Sequence, residues 1–192
     1  MKKKVLLFLA EGFETYESGV FIDVIGWNLV LGDTNTELFT CGMRKEIKSS
    51  FNQKQIVDFL IDEIDVHSFD ALAIPGGFEV YDFYKDAYNE KFLDLIRQFK
   101  TNNKVIATIC VASLPVAKSG VLKGKNGTTY NSPVRRDALR NFGVEVIDQP
   151  VVIDDNIITS CNPSSGIEVA LLLLELLTTK ENADKIRQLM GY

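Results

Sequence analysis

The chain has 192 residues and a mass of 21.5 kDa, with 46% hydrophobic and 24% charged residues, enough apolar material for one three-layer α/β core. A formal net charge of -5 and a pI near 5.0 argue against a nucleic-acid binder and against a protein that docks on anionic membranes. Three cysteines, Cys41, Cys110 and Cys161, are an odd number without CxxC spacing, which speaks against a disulfide framework or a zinc site and fits a reducing cytoplasm.

Lys2, Lys3 and Lys4 before an apolar run at 5–10 imitate a signal peptide. That run is shorter than the roughly 7–15 residues such a core needs, and Glu11 ends it, so it reads as a first buried strand. A helix is expected over 16–31, stopped by Gly32 and Asp33, and a second strand over 36–41. Residues 47–59 hold two short strands around a turn at 50–53, and the apolar 71–74 forms a strand that runs into Pro75, Gly76 and Gly77. The spacing of Phe92, Leu93, Leu95, Ile96 and Phe99 predicts an amphipathic helix over 89–100.

Residues 105–109 are apolar and rich in β-branched side chains, as a strand buried on both faces is, and a helix is expected over 111–121. Ser132 and Pro133 open a helix that runs to about 142, where Gly143 ends it. Short strands follow over 144–147, 151–153 and 157–160, with Asp154, Asp155 and Asn156 turning between the last two. A capping box from Ser165 to Glu168 starts a long helix through 177, and a short helix over 181–190 comes last. The apolar stretch 169–177 is interrupted by Glu175 and cannot span a bilayer. With no linker-like segment, 1–192 reads as one domain whose mostly parallel sheet is covered by helices on both faces.

In such sheets the working loops lie at the carboxyl ends of the strands. Three stand out: 11–17, 75–79 and 110–113. Cys110 sits in a strand-to-helix turn, where a helix N-terminus favours the thiolate, the nucleophilic and oxidisable form. A buried structural cysteine is the competing reading. Gly76 and Gly77 allow positive φ and close backbone approach. Beside a nucleophile, the Gly77 and Val111 N–H groups form an oxyanion hole. Glu17 shares the inward register of Val20, Phe21 and Val24. Next to a thiolate it is expected to be neutral and to donate to the Cys110 sulfur, because like charges raise each other's pKa.

Tyr130 can reach the site as a hydrogen-bond donor or serve packing, Cys161 can lie near it as a resolving thiol, and Arg135 and Arg136 read as a solvated helix face. The one histidine, His67, falls before the 71–74 strand, away from these loops. Without a cysteine–histidine pair, amide hydrolysis has no proton donor for the leaving amine.

The segments 5–17, 73–77 and 107–110, with Gly127-Thr128-Thr129, Thr159-Ser160, Pro163 and Glu168, together resemble the ThiJ/PfpI superfamily over nearly the whole chain. The 11–17 loop is similar to the parkinsonism-associated deglycase branch; the protease branch has histidine directly after the cysteine, where this chain has Val111. The resemblance implies a flavodoxin-like three-layer sandwich with Cys110 as nucleophile, Glu17 as its partner carboxyl, and Gly77 with Val111 as oxyanion donors. It also implies a homodimer formed through the first helix, where Trp27 serves either as a contact or as part of the core. Tyr130, Thr108, Ala112, Ser113, Cys161 and Asn162 depart from the family's usual residues, so the pocket is expected to differ in shape.

The resulting expectation is an enzyme without cofactor or metal that acts on small carbonyl substrates such as methylglyoxal. Cys110 forms a hemithioacetal and Glu17 moves the proton. The alternative is a redox-responsive stress or chaperone-like protein that works by oxidation of Cys110, and a protease or amidase ranks third.

Overall fold

In a computed structural model that describes residues 2–192, strand and helix alternate along most of the chain. β1 (Lys3–Leu9) is followed by α1 (Thr15–Leu31), β2 (Thr36–Gly42), the short strands β3 (Glu46–Lys48), β4 (Lys54–Ile56) and β5 (Phe59–Leu60), and β6 (Ala71–Ile74). α2 (Phe83–Ala87) and α3 (Glu90–Thr101) lead to β7 (Val105–Thr108), α4 (Ser113–Lys118), β8 (Asn126–Gly127) and α5 (Pro133–Asn141). β9 (Glu145–Val146), β10 (Val151–Asp154) and β11 (Ile157–Ser160) precede α6 (Gly166–Leu177) and α7 (Lys180–Met190).

Seven strands form one sheet in the order β10-β11-β7-β6-β1-β2-β5, and every neighbouring pair is parallel except β10 with β11. Val5 to Leu9, Ala71 to Ile74, and Ile106 and Ala107 are buried because helices cover both faces. α1, α6 and α7 pack on one side; α3 covers β6 and β7 on the other, with α4 and α5 beside it. This is the flavodoxin-like three-layer sandwich. Leu7 pairs with Ala73, and Ala73 with Ala107, so β1, β6 and β7 run side by side in one register and their following loops emerge together.

Several elements differ from the sequence pattern. The helix expected over 111–121 is a 3-10 turn, Cys110–Ala112, followed by α4 of six residues. Ser119 closes it by bonding back to the Pro115 and Val116 carbonyls, and Gly120 leaves the helical region at φ 94°. Only two residues of the expected 144–147 strand are extended, and β9 pairs with β8 outside the main sheet. The capping box at Ser165 does not form: Ser165 Oγ donates to the Asn162 carbonyl at 2.6 Å, and Glu168 takes Arg187 at 2.6 Å. The Ser132 cap does form, accepting the Arg135 N–H at 3.3 Å.

Candidate active site

The loops after β1, β6 and β7 meet because those strands are neighbours. Glu14 N–H donates to the Gly76 carbonyl at 2.8 Å and Phe78 N–H to the Gly12 carbonyl at 3.2 Å, on either side of an antiparallel bridge between Phe13 and Gly77. Ile109 N–H reaches the Ile74 carbonyl at 3.2 Å, which joins the third loop to the second.

The two glycines serve space. Neither Gly76 nor Gly77 adopts the positive φ expected of this turn. A Cβ on Gly76 would lie 2.9 Å from Glu17 Oε2, 3.1 Å from the Ile109 carbonyl oxygen and 3.2 Å from Cys110 Cβ. One on Gly77 would lie 2.3 Å from the Gly12 carbonyl oxygen and 2.4 Å from the Phe83 ring. A side chain at position 76 would thus crowd both Glu17 and Cys110.

Glu17 is turned inward by the start of α1. Glu14 is the N-cap, and its Oε2 accepts the Glu17 N–H at 2.8 Å, which fixes the register that buries Glu17 with Val20, Phe21 and Val24. Glu17 is fully buried. Its Oε2 accepts the Gly76 N–H at 2.6 Å, while Oε1 has no well-aligned donor and the carboxyl's remaining partner is the Cys110 thiol.

Cys110 carries the strain of the turn. It has φ 59°, in the left-handed region that side-chain-bearing residues rarely occupy, directly after the extended Ile109. Its carbonyl is held by Thr129 Oγ1 at 3.2 Å and Ser113 Oγ at 3.4 Å. With 9% exposure it sits at the wall of a cavity instead of deep in the core.

The electrostatics reverse one expectation. Burial, foremost, raises Glu17 to about 8; the Gly76 N–H opposes this and the Glu14 charge adds to it, so the carboxyl is neutral at pH 7. Burial also pushes the Cys110 thiol up, as does the Glu17 charge, while the Val111 N–H works the other way. The short α4, displaced by a 3-10 turn, does not overcome burial, so a free thiolate is not the favoured resting form. The two groups cannot both be charged in this place and give up their first proton as a pair.

Cys110, Glu17, Gly77, Val111 and Tyr130 line one cavity of about 320 Å³. Sequence reasoning missed further members: Glu14, Phe78, Glu79, Pro163 and Arg135. Arg135, read as a solvated cation, was findable as the third residue of the helix that Ser132 caps, just beyond Tyr130. Cys161 is a correction: it lines a separate hollow of about 250 Å³ with Arg136, Asp148 and Asn162, so it is not part of the Cys110 cavity. His67 lies in a turn before β6, beside Lys3, Lys4 and Asp70, at the opposite end of the sheet. Among the described residues no group of three or more His, Cys, Asp or Glu side chains is placed to hold a metal ion. Among the same residues no helix is long and apolar enough to cross a membrane.

Residues 3–176 match the DJ-1/PfpI family. The protein dj-1beta of Drosophila melanogaster is 31% identical over 190 residues, covering 97% of this chain and 95% of that one. Its crystal structure superposes with a TM-score of 0.86 at 28% identity, over 99% of this chain and 98% of that one. Deglycase TK1284 of Thermococcus kodakarensis is 31% identical over 160 residues, 83% of this chain and 90% of that protein. DJ-1 homolog A of Arabidopsis thaliana is 30% identical over 94% of this chain, yet the chain spans only 44% of that longer protein.

Proposed function

The chain belongs to the DJ-1/PfpI family, and on that premise we propose that it is a cofactor-independent enzyme converting α-oxoaldehydes such as methylglyoxal to 2-hydroxy acids. The pair loses one proton to solvent, first from Glu17, whose carboxylate then takes the Cys110 proton, leaving a thiolate beside a neutral acid. The sulfur then attacks the aldehyde carbon, and the C=O π electrons move to oxygen, where the Gly77 and Val111 N–H groups face the charge. Glu17 protonates that oxygen, giving the hemithioacetal and a carboxylate. The carboxylate removes the former aldehyde carbon's hydrogen as a proton, and the electron pair moves onto the neighbouring carbonyl oxygen as an enediolate. Glu17 returns the proton to that neighbouring carbon while the hemithioacetal hydroxyl proton passes to its oxygen. The product is a thioester of the 2-hydroxy acid. Water adds to its carbonyl, the C–S bond breaks, and the acid leaves with the thiol restored. Overall, one aldehyde and one water become one hydroxy acid.

The observation that carries this reading is a buried acid, neutral below about pH 8, against a thiol in a strained elbow at a cavity wall. The route needs no histidine, which separates it from amide hydrolysis in a cavity where Val111 follows the cysteine. Lactate formed from methylglyoxal, measured by an enzymatic lactate assay, should appear with the wild type and fall at least about 100-fold in Cys110→Ser. Turnover that survives the substitution excludes the mechanism.

The neutral Glu17 also favours a second reading, in which Cys110 is a redox sensor. Two equivalents of peroxide convert the thiol to the sulfinic acid with release of two waters, and the Glu17 O–H donates to the new oxygens. A mass gain of two oxygens at Cys110 under mild peroxide, without any turnover of oxoaldehydes, selects this reading. In either case we propose a second copy of the chain as partner, seated on the exposed apolar residues of α1 that include Trp27.

A further inference from the structure

The proposed chemistry leaves a cation of the cavity unused. Arg135 lines the same 320 Å³ space as Cys110, although a neutral oxoaldehyde gives it nothing to do. Its guanidinium lies 5.1 Å from the centre of the Tyr84 ring, and only 26% of the side chain is exposed. Its ionic partner is Glu79, at 2.7 Å, whose side chain is 67% exposed. An exposed pair of this kind is worth little, so the acid is readily exchanged for another while the cation stays in place. Glu14 and Glu79 are the cavity's other acidic groups beside the neutral Glu17, so that among the described residues Arg135 is the one cation lining it.

We propose that Arg135 is the specificity determinant of the site and takes the carboxylate of a substrate whose reacting carbonyl meets Cys110. The substrate class is then an α-oxoaldehyde with an acid group at its far end. A carboxylate matches the planar guanidinium with two parallel N–H···O bonds, displacing Glu79 to water. The half-exposed rings of Phe78 and Tyr130, at 46% and 42%, line the same cavity and suit an apolar spacer. No covalent step changes; the isomerisation proceeds as above with the substrate tethered at both ends.

This rests on the enzymatic reading, and the test separates the two. Phenylglyoxal and 4-carboxyphenylglyoxal share a skeleton and differ by the acid group. Arg135→Gln should lower the kcat/KM ratio of the carboxylated to the neutral compound by about tenfold, mainly through KM, and Arg135→Lys should restore part of it. Glu79→Gln, an exposed change that removes the competing acid, should move the ratio the opposite way, which a folding defect in Arg135→Gln cannot imitate. A ratio unmoved by these variants overturns the proposal. If the wild type turns over neither compound, the enzymatic reading falls, and alkylation of Cys110 decides the anchor alone. The ratio of iodoacetate to iodoacetamide rates should then drop about tenfold in Arg135→Gln, and an unchanged ratio rejects the anchor.

Discussion

Glu17 is a carboxyl that the fold keeps protonated. Its folded value of about 8 stands against 4.5 for an ordinary glutamate, so the folded chain binds this proton more tightly than the unfolded chain. The associated stability is fully present below about pH 4.5 and is lost as the pH rises toward 8. Glu17→Gln keeps the shape and the bond from Gly76 but carries no proton to lose. It should exceed the wild type in stability at pH 8 by about 2–4 kcal/mol, with the difference shrinking toward zero near pH 4. Urea unfolding at the two pH values measures this, and an equal difference at both would show that the carboxyl is charged in the folded state. The same variant should lose turnover, since the amide cannot shuttle the proton. At this scale the sequence was informative wherever a residue had one available place: Cys110 follows a buried strand, and Glu17 shares a register with apolar neighbours. It misread Arg135 because a cation on a short helix looks the same whether it faces water or a cavity, and Cys161 because the end of β11 opens toward more than one hollow.

Among the elements, α2 was invisible in the sequence yet holds the 11–17 loop. Its Asp86, with a side chain 4% exposed, accepts the Glu11 N–H at 2.8 Å and binds Arg44 through two bonds of 2.8 and 3.0 Å. Arg44 also reaches Glu11 Oε2 at 2.9 Å, so the start of the 11–17 loop is clamped to a helix and to the segment after β2. Removing the guanidinium strands a buried carboxylate. Arg44→Ala should therefore cost about 2–3 kcal/mol, less than a wholly buried pair because Arg44 itself is 43% exposed. Arg44→Lys should recover only part, since it keeps the charge without the fork. Thermal unfolding tests this, and a loss below about 0.5 kcal/mol would mean that solvent screens the pair. Long elements were legible because α3 repeats its apolar residues at helical spacing and β1 is apolar over consecutive positions. α2, β5 and β8 span too few residues to establish any period, and α4 was overextended because the apolar pattern runs past the point where Gly120 turns the chain.

For the molecule as a whole, the decisive step was adjacency. Alternating strands and helices predict a parallel sheet, but strand order is set by packing between distant segments, and the placing of β6 between β1 and β7 is what brings 11–17 against 75–79 and 110–113. One surface remains unexplained by the monomer. α1 buries Val20, Phe21, Val24 and Ile25 against the core, yet its outer side exposes Ile22, Trp27, Val30 and Leu31, with Val30 at 73%. Together with Gly26 and the single carboxylate Asp23 these residues line a shallow, mostly apolar hollow of about 430 Å³. Apolar residues clustered on an outer helix face are the pattern of a contact surface, and because Glu17 stands at the start of α1, a partner seated there would also steady the helix that positions the acid. Wild-type protein should sediment as a dimer of the 21.5 kDa chain at micromolar concentration. Val30→Glu, which places a charge in the middle of that contact at little cost to the isolated fold, should shift it to monomer and change the Trp27 emission. A wild type that sediments as monomer at every concentration would reject the α1 interface, while the Cys110 and Glu17 chemistry, contained within one chain, would stand.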